Sequence, residues 1–211
     1  MSCAAPKADC NICPRLASFR AGNRKSFPDK FNAPVPSFGP MNAKLLIVGL
    51  APGLRGANFT GRPFTGDYAG DLLYATLLKF GFAKGKYEEH PDDGLQLVNC
   101  RITNAVRCVP PENKPLPEEI HACRPFLDGE IAALPDLRVI LSLGKISHDA
   151  VARSFGRKLS ACIFAHGAEH DIGRGVTLID SYHCSRYNTN TGRLTEKMFH
   201  DVLERIAEIV K

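Results

Sequence analysis

The sequence predicts an α/β fold, a three-layer sandwich in which helices flank a central, mainly parallel, four-stranded sheet. Two observations carry this. Three short apolar runs end in turn chemistry: Leu45–Leu50, Val139–Gly144 and Val176–Ile179. Continuous apolarity, in place of alternation, marks a strand buried on both faces, which is the situation of a parallel strand. Segments of helical periodicity separate the runs, and strands alternating with helices imply a sheet covered on both sides.

The elements follow in chain order. The first forty residues hold Cys10-Asn11-Ile12-Cys13-Pro14 and then a basic, weakly periodic stretch. They read as an irregular segment wrapped on the domain. The strand at 45–50 gives way to a glycine-rich loop, and Leu72, Leu73, Leu77 and Leu78 then mark a helix stopped by Gly81. A further strand is expected within 98–106. Pro117-Glu118-Glu119 opens the next helix, with proline in the first turn and acids at the positive dipole end; Pro125 is expected to kink it. After the strand at 176–179 and a polar loop, Thr195 can cap a last helix whose apolar stripe is Met198, Phe199, Val202, Leu203, Ile206 and Val210. The 211 residues suit a single domain. In such a sheet the ligand site lies beyond the carboxyl ends of the strands, so the loops after them should converge.

Composition narrows the class. Hydrophobic residues make up 44% of the chain and charged ones 23%, which is ordinary for a globular protein and argues against disorder. No apolar run is long enough to span a bilayer and no signal peptide is recognisable, so the expectation is a cytosolic protein without membrane partners. A net charge of +5 suits a polyanionic partner but does not by itself select one. Eight cysteines in a cytosolic chain point to metal ligands or buried thiols before disulfides. Cys10-x2-Cys13 and Cys108-x14-Cys123 form a two-plus-two set that can close a metal site, and spacing alone does not separate zinc from iron or from buried small hydrophobes. Cys3, Cys100, Cys162 and Cys184 lack comparable spacing and read as ordinary thiols.

Three segments carry polar chemistry. Gly49–Asp67 offers backbone amides, an aromatic plate in Phe64 and a carboxylate in Asp67 at a helix start, where it can equally serve as the N-cap. It lacks the glycine spacing of a dinucleotide loop. Asn104 lies inside an otherwise apolar strand end; a buried carboxamide must be paired, and its donor and acceptor suit the imide edge of uracil. Ser181–Arg193 sets His183, Arg186 and Arg193 among amides and hydroxyls, either as a phosphate clamp or as a solvated loop. His148 reads as a packed histidine. His166 and His170 have the spacing of a helical metal pair, but Gly167 between them argues against a helix.

Taken together, these motifs resemble the type-5, or B-type, branch of the uracil-DNA glycosylases, the iron-sulfur group of prokaryotes. The likeness runs in order through Cys10-x2-Cys13, 49–73, 102–127, 164–170 and 181–195. It implies that Cys10, Cys13, Cys108 and Cys123 ligate a structural [4Fe-4S] cluster. It further implies that Phe64 stacks on a flipped base in a pocket with Gly49 and Ala51, that Asn104 reads the base edge, that His183 faces its O2 side and that Asp67 orients water. Gly53, Arg55, Asn58, Arg62, Ser185 and Arg186 would contact the DNA backbone. The implied activity is hydrolysis of the N-glycosidic bond of uracil in DNA, with hypoxanthine, xanthine and modified pyrimidines as further candidate bases. The partner is then DNA containing deaminated bases, and the expected setting is a monomer in the cytoplasm, at the nucleoid. The sequence departs from the pattern in three places. Leu50-Ala51 leaves no acid where other branches carry one, Phe59 stands where arginine is typical, and Gly53 where alanine is common. The missing acid motivates an alternative, a non-catalytic damaged-DNA-binding protein on the same fold; a third reading is a zinc-binding structural module.

Overall fold

The structure is a computed structural model that describes residues 5–210; Cys3 lies outside the described residues. The chain runs α1 (Pro14–Ser26), β1 (Leu45–Gly49), α2 (Ala57–Thr60), α3 (Tyr68–Lys79), β2 (Ala83–Lys84), β3 (Gln96–Leu97), β4 (Cys100–Asn104), α4 (Pro117–Ala132), β5 (Val139–Leu143), α5 (Lys145–Ser154), β6 (Glu169–Gly173), β7 (Val176–Ser181), α6 (Arg186–Asn190) and α7 (Glu196–Val210).

The central sheet has the order β4-β1-β5-β7-β6. The first four strands are parallel, as the apolar runs predict, and β6 adds an antiparallel edge. The sheet therefore has five strands, not four. β6 escapes the sequence reading because, of its five residues, only Ile172 is buried, so it has no apolar run to announce it. It pairs instead through backbone ladder bonds to β7.

Alternate side chains of β1 feed two cores. Leu45 and Ile47 pack with Leu73 and Leu77 of α3 and with Phe199, Leu203 and Ile206 of α7. Leu46 and Val48 pack on the opposite face with Leu127 and Ile131 of α4 and Val151 of α5. All four β1 side chains are fully buried, and each contributes roughly 1.5–3 kcal/mol by leaving water. Thr195 caps α7 as the sequence implies, its hydroxyl accepting from the Met198 amide at 3.2 Å.

The amino-terminal segment is not irregular throughout. It contains α1, started by Pro14 at its first position and finished by Arg24 and Lys25 in its last turn, both favourable placements. Its apolar face is too weak to show as periodicity, since only Leu16, Arg20 and Asn23 are buried. A buttress holds it: Arg15 donates to both carboxylate oxygens of Glu119 at 2.8 and 2.7 Å, tying α1 to the start of α4. Pro125 lies inside α4 without ending it.

β4 and β5 flank β1 on opposite sides. The carboxyl end of β1 is thus the point where the winding reverses direction, the place at which open α/β sheets form a crevice.

Candidate active site

A cavity of about 600 Å³ opens at that crevice. Its floor and walls come from the loop after β1 (Leu50 to Ala57), from Phe64 to Ala69, from Asn104 at the end of β4 and from the segment after β7. Of the residues singled out in the sequence, Ala51, Gly53, Arg55, Phe64, Asp67, Asn104, His183, Ser185 and Arg186 line it.

Gly49 sits directly beneath. A β-carbon there would lie 2.4 Å from Asn104 Oδ1 and 2.6 Å from Phe64 Cζ, so the absence of a side chain lets these two reach the pocket. Asn104 is 3% exposed, and among the described residues its carboxamide has no hydrogen-bond partner. Its donor and acceptor are available to a ligand. Phe64 is buried and holds φ at +53°, a left-handed conformation that costs a bulky residue about 1–3 kcal/mol and that tends to mark functional sites. Its ring stands 5.8 Å from that of His183, tilted by 31°.

Asp67 does cap a helix: its Oδ1 accepts from the Gly70 amide at 3.3 Å at the start of α3. The other oxygen faces glycines across the pocket wall, and a β-carbon at Gly53 would stand 3.3 Å from Oδ2. Capping and a pocket-facing carboxylate are therefore compatible. Burial pushes the Asp67 carboxyl up, against the opposing pull of the Gly70 and Ala69 amides. Burial also drives His183 down, to about 4, so its imidazole is neutral at physiological pH. The His183 carbonyl is tied by Asn188 Nδ2 at 2.8 Å, while its ring nitrogens make no hydrogen bond among the described residues.

Two expected backbone contacts are corrected. Arg62 is 4% exposed and grips Asp93 through both terminal nitrogens, at 2.7 and 2.6 Å; a phosphate would have to break a buried ion pair to reach it. Asn58 is 1% exposed and donates to Asn32 Oδ1 at 2.8 Å. It fastens the pocket loop to the segment after α1. The sequence reading also missed two wall residues. Asn113 lines the cavity from the turn before α4, and Tyr68 carries Arg186 over its ring at 5.1 Å.

A second site is built from cysteines. Cys10, Cys13, Cys108 and Cys123 are free thiols that line one small hollow with Leu16, Arg20 and Val106. Arg20, 5% exposed, donates to Cys108 Sγ at 3.4 Å and to the Cys10 carbonyl at 2.6 Å. The Arg107 amide donates to Cys123 Sγ at 3.4 Å. Cys100, Cys162 and Cys184 are buried in the cores. Elsewhere His148, Cys162 and His170 place three donor atoms within 4.8 Å of one another. In that group His148 already uses both ring nitrogens, on Asp180 Oδ1 and on the Cys162 carbonyl, each at 2.8 Å; it is the packed histidine expected from sequence. No helix among the described residues is long and apolar enough to cross a membrane.

With this geometry in hand, comparison with known proteins is specific. The family profile described as the Uracil DNA glycosylase superfamily matches residues 36–207. The chain is 46% identical over 199 residues to the type-5 uracil-DNA glycosylase of Thermus thermophilus, covering 92% of this chain and 90% of the relative. It is 39% identical over 208 residues to that of Mycobacterium bovis, covering 95% and 78%. A type-4 uracil-DNA glycosylase of Archaeoglobus fulgidus is more distant, 30% identical over 153 residues, covering 71% and 69%. By its fold, by the residues gathered at the switch point and by these relatives, the chain belongs to the uracil DNA glycosylase superfamily, in its type-5 branch.

Proposed function

We propose that the protein excises uracil from DNA by hydrolysing the N-glycosidic bond, leaving an abasic site. One observation carries this reading: Phe64 and Asp67 from the loop before α3, Asn104 from the end of β4 and His183 from the segment after β7 meet in one cavity, and the side-chain polar atoms of Asn104 and His183 are left unused by the described residues.

The chemistry needs a base out of the stack, a stabilised leaving anion and a screened sugar cation. Flipping costs a few kcal/mol, which stacking on Phe64 and a close pocket offset. Asn104 pairs with the imide edge. The neutral His183 imidazole donates to the O2 side, where negative charge develops as the bond breaks, without a competing positive charge of its own in the ground state. Asp67 lies partly shielded from bulk water. It stabilises the cationic sugar and orients a water toward C1′. Leu50 and Ala51 line the pocket without an acid, so Asp67 takes the load that an acid after β1 carries in other branches. Arg55, Ser185 and Arg186 hold phosphates at the mouth; Gly53 and Ala51 keep the wall low. The non-catalytic alternative rested on the missing acid alone and gains no support from the type-5 relatives. The substrate is DNA containing uracil, with other deaminated bases as candidates, and the protein works as a cytoplasmic monomer at the nucleoid.

We further infer that Cys10, Cys13, Cys108 and Cys123 hold a [4Fe-4S] cluster. The donor set fits: four thiols, a buried guanidinium and a backbone N–H directed at two of the sulfurs. Four thiols would suit zinc as well as a cluster; the resemblance to the iron-sulfur branch is what favours the cluster. The cluster would pin α1 and the loop after β4 beside the pocket, as a structural element.

The test is cleavage of a labelled strand containing one uracil, followed by alkali and gel separation, with wild type, Asp67→Ala and His183→Ala. Scission by wild type and large losses in both variants support the reading. Absence of scission with retained DNA binding would overturn it.

A further inference from the structure

Arg62 is a buried cation that the proposed chemistry does not use, and its surroundings assign it work. Its Nε donates to Thr65 Oγ1 at 2.7 Å, so the side chain arches over Pro63 and Phe64. Its two terminal nitrogens form the fork on Asp93, whose side chain is fully buried. Asp93 is itself fixed, accepting from the amides of Glu88 at 3.0 Å and Leu95 at 2.9 Å. The guanidinium carbon lies 5.3, 5.5 and 5.8 Å from the ring centroids of Phe38, Tyr74 and Tyr87. Two of these rings bind the backbone of the arch. The Tyr74 hydroxyl donates to the Pro63 carbonyl at 2.6 Å, and that of Tyr87 to the Phe64 carbonyl at 3.2 Å. Behind them there is no slack: a β-carbon at Gly70 would stand 2.0 Å from the Phe64 carbonyl oxygen and 2.4 Å from the Tyr87 hydroxyl.

The strained residue at the centre of this arrangement is Phe64. A left-handed phenylalanine persists only where its surroundings over-determine it, and here both carbonyls on that stretch, and the next side chain, are held by groups stacked on or bonded to Arg62. We propose that Arg62, locked by Asp93, is a positioning residue that holds Phe64 in its left-handed turn and thereby sets the aromatic wall of the base pocket. The inference rests on the reading of that pocket as the base site. A buried ion pair is weak evidence for stability alone, because desolvation offsets much of its attraction. Its value here is geometric. An error of about 1 Å in a pocket wall can lower a rate by roughly a hundredfold.

Two variants separate positioning from mere folding. Arg62→Lys keeps the charge and loses the fork and the Thr65 contact; Tyr87→Phe removes only the hydroxyl on the Phe64 carbonyl. Three measurements are made on each: hydrogen exchange across 62–66 against exchange in β1 and β5, single-turnover excision of uracil, and affinity for an undamaged duplex. The expected result is exchange in 62–66 and loss of excision rate each changed by about tenfold or more, with β1 and β5 and duplex affinity as in wild type. A folded variant that keeps wild-type exchange at 62–66, or that excises uracil at the wild-type rate, overturns the proposal. Should Arg62→Lys fail to fold, Tyr87→Phe decides. If the wild type itself releases no uracil, the glycosylase reading is what fails, and local exchange alone then supports or overturns the clamp.

Discussion

Gly56 holds open the space that Asp67 occupies: a β-carbon at position 56 would lie 2.4 Å from Asp67 Oδ2 and 2.9 Å from its Cβ. The contact alone excludes a side chain at position 56. Gly56→Ala is expected to swing the carboxylate away from the pocket and lower the excision rate by about tenfold to a hundredfold. Overpacking of this kind costs roughly 1–3 kcal/mol of stability. Single-turnover kinetics beside a thermal melt checks both; a fully active Gly56→Ala protein would show that Asp67 does not need its observed place.

Asp67→Asn should separate activity from stability. Asparagine caps a helix as well as aspartate, so the bond from the Gly70 amide survives. Burial raises the carboxyl's folded pKa above its unfolded value. Such a group favours the folded state while it is protonated, and that contribution is lost as pH rises through the folded pKa. At neutral pH the ionised carboxylate therefore costs stability, and the neutral amide removes the cost. The expectation is a higher melting temperature at pH 7, no gain at pH near 3, and excision reduced by about 10²–10⁴-fold.

The pH profile of excision should be set on its acid side by His183 and Asp67. His183 sits at about 4 in the folded chain, against about 6.5 when unfolded. Its folded pKa is depressed, so the unfolded state binds more protons between those values, and stability falls as pH drops through that window. Activity at and above pH 7 should be flat with respect to His183, whose imidazole takes up its proton only toward pH 4, while the Asp67 carboxylate, raised by burial, takes up its proton at higher pH than a free one. His183→Ala should remove the His183 part of the stability slope and lower the rate by about 10²–10³-fold, the scale of a lost oxyanion donor. An inflection in the rate near 6.5 would mean that the ring is solvated and that this assignment is wrong.

What the sequence disclosed follows a physical division. Asn104 and His183 stand at or just beyond strand ends, and Phe64 and Asp67 just before α3, all inside motifs that are contiguous in the chain, so local pattern is enough to find them. Asn113 was invisible because its place depends on a left-handed turn, φ +56°, before α4. Arg62 is expected at the DNA backbone because its partner, Asp93, is 31 positions away and nothing local announces the pairing. β6 and α1 were missed for one shared reason. Both are polar elements held by neighbours, the first by β7 and the second by Glu119, and neither has an apolar face strong enough to register as periodicity.

The cysteine site makes the last prediction, and Arg20 is its most direct probe. Its guanidinium is buried and donates to the Cys108 sulfur and the Cys10 carbonyl, with the exposed Asp9 carboxylate as a more distant countercharge. A buried cation needs a compensating charge, and four thiolates around an iron-sulfur cluster supply one, whereas four neutral thiols do not. Arg20→Leu is therefore expected to weaken retention of the bound group while relieving the metal-free chain of a buried charge that Asp9 offsets only in part. In practice, the wild type purified without oxygen should be brown, with iron and acid-labile sulfide in equal amounts. Cys108→Ser and Cys123→Ser should lose the colour and melt at lower temperature, because the cross-link between α1 and the loop after β4 is then lost, leaving the Arg15–Glu119 pair and the packing of Leu16 on Val106. Arg20→Leu should bleach faster than wild type in air, yet its metal-free form should melt higher than metal-free wild type. A colourless wild-type protein carrying one equivalent of zinc would replace the cluster with a mononuclear site.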